Sequence, residues 1–175
     1  MRDTVSFCLA GLCVGLALTG CGGSDERFIS TDAALAAFHQ AGFRNLLVIS
    51  QKKAAAQLAR RLGGHLPPGF SVEKALDEDT VLSTASEHGW PALAATRFPS
   101  SAMAQQVYQR VANPEVLAKE FADARKSKLL PAGFAPDKVR TALVCNIVIS
   151  SYNANRDPAL DGRLDRAIAL LRDKC

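Results

Sequence analysis

The clearest periodicity lies near the end of the chain. Leu160, Leu164, Ile168 and Leu171 recur at helical spacing, with Arg163, Asp165, Arg166 and Arg172 on the wet face. This predicts a helix from Pro158 to Lys174 with one buried stripe. Asp157-Pro158 opens it, because an Asp side chain accepts from free amides of the first turn and Pro lacks a donor only where none would be paired. The same signals place other helices. Ser30 or Thr31 caps one bearing Leu35 and Phe38, with Gly42 as its left-handed terminator. Gln51 to Leu62 carries Ala54, Leu58 and Leu62 among Lys52, Lys53, Arg60 and Arg61, and Gly63-Gly64 ends it. Ser100 or Ser101 precedes Met103, Val107, Tyr108 and Val111, and Asn113-Pro114 precedes Leu117, Phe121 and Ala124.

Strand patterns fall between these helices. Asn45 to Ile49 has an unbroken apolar run, which predicts a strand buried on both faces. Pro91 to Phe98 reads as another. Val139 to Ser150 is the longest and is expected to be central, with Val139, Thr141, Leu143, Cys145, Ile147 and Ile149 on one face and Val144 and Val148 on the other. Residues 64–89 are Pro-rich and then acidic, and are expected to form an irregular insertion with one helical turn around Val72 to Leu76. Helices and strands in this order predict an α+β domain, a two-layer sandwich with a small mixed sheet and helices packed mainly on one face. The short loop from Ser151 to Arg156 folds the last helix back antiparallel along the last strand.

The first 27 residues stand apart from this pattern. Arg2 is followed by an uncharged run from Thr4 to Leu18 whose apolar residues are spread all round. That run is too short and Gly-rich to span a bilayer, and it has the dimensions of the apolar region of a secretory signal peptide. It ends at Leu18-Thr19-Gly20-Cys21. These four residues resemble the lipobox of bacterial lipoproteins, a branched apolar residue and two small ones before a cysteine. The resemblance implies that residues 1–20 are removed and that the Cys21 thiol carries a diacylglycerol thioether. It further implies a protein held on the extracytoplasmic face of the cell membrane. Two acyl chains on one cysteine hold stably where one holds marginally, since each buried methylene contributes about 0.8 kcal/mol. Residues 21–27 then form a tether with an end-to-end distance of roughly 13 Å, stretching to about 20 Å. The expected partners are membrane lipid, through acylated Cys21, and an envelope protein or cell-wall component at that surface.

Export changes the reading of the cysteines. Cys8 and Cys13 go with the signal segment. Cys145 lies about 17 Å back from the end of its expected strand, and the following helix runs back about 25 Å, so Cys175 approaches it. In an oxidising compartment the pair is expected to form a disulfide, stabilising the domain by about 3 to 4 kcal/mol.

Composition bounds the rest. Among 175 residues, 48% are hydrophobic and 22% charged, enough for one core over residues 28–175 and unlike a disordered or collagen-like chain. The net charge is +4 and stays so when Arg2 and Asp3 leave with the signal segment. The cations Lys119, Arg125, Lys126, Lys128, Lys138 and Arg140 cluster in sequence, but Glu120 and Asp123 interrupt them and no aromatic platform is interleaved. They read as solvated helix faces, and no nucleic-acid partner is expected.

Motifs for chemistry are sparse. His39, His65 and His88 are isolated and none belongs to a His-Glu-x-x-His or Cys-x-x-Cys arrangement, so no metal or cofactor is implied. There is no Gly-x-Ser-x-Gly elbow, and Gly63-Gly64 follows a helix instead of opening one over a phosphate. The order of elements, with Ala37 to Gly42, Phe98 to Ala104 and the late apolar strand before a terminal helix, is similar to small lipoproteins of high-GC Gram-positive bacteria. That likeness implies a fold type and no activity. The leading reading is a non-catalytic binding or accessory lipoprotein with an exposed patch drawing on Trp90, Phe70 and Tyr152. One alternative is a small envelope hydrolase using His65 or His88 with Asp77, Glu78 or Asp79. Another is a single-domain solute-binding lipoprotein.

Overall fold

The computed structural model describes residues 28–50, 52–53, 56, 60, 79–83, 86–87, 90–126 and 135–175. The signal segment 1–20, Cys21 and the tether lie outside them, as do His65, Phe70 and His88. Of the helix expected over 51–62, Lys52, Lys53, Ala56 and Arg60 are described and are helical.

Local capping sets the helices. The Ser30 hydroxyl accepts from the Ala33 amide at 3.2 Å and starts α1 (Thr31–Gln40). Gly42, at φ +98°, turns the chain out of it. Ser100 accepts from the Met103 amide at 3.2 Å and starts α2 (Ser101–Val111). Asn113 accepts from the Glu115 amide at 2.9 Å at the start of α3 (Pro114–Lys126). Asp157 accepts from the Ala159 amide at 2.9 Å, with Pro158 at the first position of α4 (Pro158–Arg172). Leu160, Leu164, Ile168 and Leu171 of α4 are all buried.

The strands are β1 (Leu46–Ser50), β2 (Asp79–Ser83), β3 (Ser86–Glu87), β4 (Trp90–Pro91), β5 (Ala94–Arg97), β6 (Val139–Val144) and β7 (Ile147–Tyr152). The main sheet has five strands in the order β1-β2-β5-β7-β6, and β3 pairs with β4 apart from it. The α+β class is as expected, whereas the sheet, expected to be mixed, is antiparallel throughout. The reason is a hairpin inside the supposed long strand. Val144 pairs with Ile147, so Cys145 and Asn146 form a two-residue turn, with Cys145 at φ +51°. The run 139–150 is therefore two strands: β7 is interior and β6 lies on the edge.

Two further expectations change. Against the expectation that Asn45 to Ile49 is buried on both faces, β1 is the other edge strand among the described residues, and Leu47 and Val48 are exposed. Within the stretch 64–89 expected to be irregular, residues 79–83 form β2, second in the sheet, with Val81 opposite Val48 and Ala95.

Helices α1 and α4 cover one face, where Phe38, Val81, Ala95, Ile147, Ile149, Leu164 and Leu171 form the main core. On the other face α2 covers β6 and β7. There Phe98, Ala104, Val111 and Val148 pack with Met103, Val107, Tyr108 and Leu143. The hairpin also changes which residues share a face: Leu143 faces α2 with Val148, while Val144 joins Ile147 and Ile149 in the main core.

Candidate functional site

Two places gather side chains from distant parts of the chain. The first is the end of the sheet where the hairpin turns. Asn146 has no solvent-exposed surface, and its side-chain amide donates to the Ile29 carbonyl at 3.3 Å and the Phe98 carbonyl at 3.0 Å. Its side-chain oxygen accepts from the Ile29 amide at 2.9 Å, and its backbone carbonyl accepts from the Phe98 amide at 2.8 Å. One asparagine thus satisfies the extended segment that leads into α1 and the end of β5. A lone Asn in an apolar run gives no sequence sign of this role.

At the same end α4 returns along β7, and Cys175 bonds to Cys145 with a Cα–Cα distance of 6.2 Å. The disulfide expected from the sequence is present, although Cys145 sits at a turn and not within a strand. Phe28, just before the clamped Ile29, is 46% exposed and stacks under the Arg97 guanidinium at 5.1 Å. Arg97 Nε also donates to the Thr31 hydroxyl. The described chain therefore begins at the disulfide-bonded end of the sheet.

The second place is a cleft of about 600 Å³ along the β6 edge. Tyr108 of α2 stands on one side, Asp165, Ile168 and Arg172 of α4 on the other, and Arg140 to Leu143 form the floor. Residues 165, 168 and 172 share a helix face by their spacing. Arg140 pairs with Asp165 at 2.5 Å with both side chains about half exposed, a geometry that orients more than it stabilises. The Arg172 guanidinium has no carboxylate partner among the described residues. No histidine or cysteine lines the cleft, so it offers hydrogen bonds, charge and apolar surface.

The other residues marked by the sequence are dispersed. His39 is exposed in the last turn of α1. Tyr152, expected in an exposed patch, is buried, because it faces inward from the interior strand β7 and its hydroxyl accepts from the Ala135 amide at 3.3 Å. Trp90 lies in β4 and Asp79 in β2, while Asp77 and Glu78 are outside the described residues. The cation cluster is divided: Lys138 Nζ donates to the Ala154 carbonyl at 2.5 Å, Arg140 turns to Asp165, and Lys119 and Lys126 are exposed on α3. Among the described residues no group of His, Cys, Asp and Glu is placed to hold a metal ion, and no helix is long and apolar enough to cross a membrane.

No protein-family model, no curated protein and no solved structure is detectably similar to this chain.

Proposed function

We propose that this protein is an exported lipoprotein, cut before Cys21 and acylated there, that serves as a non-catalytic binding or accessory domain on the extracytoplasmic face of the cell membrane. The observation that carries this reading is Leu18-Thr19-Gly20-Cys21 directly after the uncharged run 4–18. The Cys145–Cys175 disulfide supports it, because such bonds persist in oxidising compartments.

The reading also limits how far the body lies from the bilayer. Seven peptide bonds separate Cys21 from Phe28, so the lipid and the clamped start of the body are at most about 25 Å apart. The end bearing Phe28, Arg97 and the disulfide is then held within that distance of the lipid.

Intact-mass analysis of the membrane fraction is the test. The wild-type product is expected to begin at residue 21 with a diacylglycerol-modified cysteine, and Cys21→Ala is expected to keep residues 1–20 and carry no acyl group. An unmodified Cys21, or a cytosolic product, overturns the proposal.

A further inference from the structure

Antiparallel pairing leaves alternate residues of an edge strand with their amides and carbonyls directed away from the sheet. The phase in β6 is fixed at its start. The Asn153 amide donates to the Lys138 carbonyl at 3.1 Å, and the Val139 amide turns back to the Pro136 carbonyl. Arg140, Ala142 and Val144 therefore bond to β7, while Thr141 and Leu143 direct their N–H and C=O groups into the cleft. Exposed edges are commonly blunted by a proline, a bulge or a covering element. β6 has neither proline nor bulge, since its register with β7 is continuous from Val139 to Val144. Among the described residues no element covers this edge, and the 600 Å³ trench lies between α2 and α4 along it.

We propose that this trench binds an extended acidic peptide segment by strand addition to β6. Thr141 and Leu143 supply the backbone bonds, Tyr108 and Ile168 supply apolar walls for alternate side chains, and Arg172 receives a carboxylate of the peptide. Charge selects this occupant. Arg140 and Arg172 outnumber Asp165, and Asp165 is already engaged by Arg140. A second copy fits poorly, because β6 paired with itself brings both sets of arginines into one trench. The opposite edge lacks this charge: β1 presents Leu47 and Val48 and no ionisable side chain. The proposal does not depend on acylation of Cys21.

A random peptide display library panned against the full-length, disulfide-bonded protein in detergent micelles tests it. Enriched peptides are expected to alternate β-branched residues with polar ones and to carry Asp or Glu. The affinity of the best synthetic peptide is expected to fall roughly tenfold in Arg172→Glu, a change at an exposed helical position, and to be lost in Thr141→Pro, which removes an outward donor. On wild-type protein the peptide is expected to slow amide exchange at Thr141 and Leu143, a readout that holds if Thr141→Pro does not fold. Enrichment of no peptide, equal binding by Arg172→Glu, unchanged exchange at those amides, or a concentration-dependent dimer closing the β6 edge overturns the proposal.

Discussion

The two faces of the sheet are built differently. Under α1 and α4 the inward positions of β2, β5 and β7 are Val81, Ala95, Ile147 and Ile149, and the helices add Phe38, Leu164 and Leu171. On the reverse face the neighbouring positions of β2 and β5 are Thr80 and Thr96, buried and joined hydroxyl to hydroxyl at 3.0 Å. Among the described residues the apolar cluster on that side lies in the β6–β7 half beneath α2. The first face is held by apolar burial and the second includes a buried polar contact, while the cleft lies at the β6 edge between them, walled by Tyr108 of α2 and by Asp165, Ile168 and Arg172 of α4.

The largest effect that separates the faces is expected from truncating their aromatic and aliphatic anchors. Phe38 is fully buried and meets Phe43 edge to face, with centroids 6.0 Å apart. Phe38→Ala is expected to cost about 3–5 kcal/mol, against about 2 kcal/mol for Val148→Ala on the reverse face. Urea denaturation of both variants checks this, and equal losses would show that the two clusters carry the fold alike.

Cutting the disulfide comes next. It ties the hairpin, which belongs to both faces, to the end of α4, which belongs to the first. Cys145→Ser with Cys175→Ser is expected to lower stability by about 3 to 4 kcal/mol on the chain-entropy model. The same loss is expected when the wild-type protein unfolds in urea with a reductant, and an unchanged midpoint there would remove the crosslink from the stability of either face.

The smallest effect sharpens the comparison by removing a feature the faces share. Ser30 and Ser100 cap α1 and α2 with the same 3.2 Å bond. Each Ser→Ala change is expected to cost about 1 kcal/mol, with nearly equal shifts in thermal midpoint. A much larger loss at one cap would show that the faces differ in helix initiation as well as in packing.

The features legible in the sequence are those whose causes lie within one turn of chain. Ser30, Ser100, Asn113 and Asp157 cap helices where the pattern places them, because their partners are two or three residues away. The hairpin at Cys145-Asn146 is hidden because no Gly marks it. The turn is secured by Asn146 bonding to Ile29, 117 positions away, and to Phe98. β2 is hidden because Asp-Thr-Val-Leu-Ser is short and half polar, and its place in the sheet comes from β1 and β5 on either side. The cleft was equally out of reach. Tyr108, Arg140 and Arg172 are about thirty residues apart in sequence, and only the folding of α2 and α4 over opposite sides of one strand brings them together.

By itself the chain order determined the α+β class, the helix starts, the apolar stripe of α4 and the pairing of Cys145 with Cys175, since each follows from short-range sterics, periodicity or a loop of known reach. The tertiary structure alone decided which strands are edges, which way each face of the late hairpin points, and that Tyr108, Arg140 and Arg172 line one cleft. Those depend on pairing between distant segments, where shifting one strand by a single residue exchanges its two faces, and no local pattern encodes the choice of neighbour.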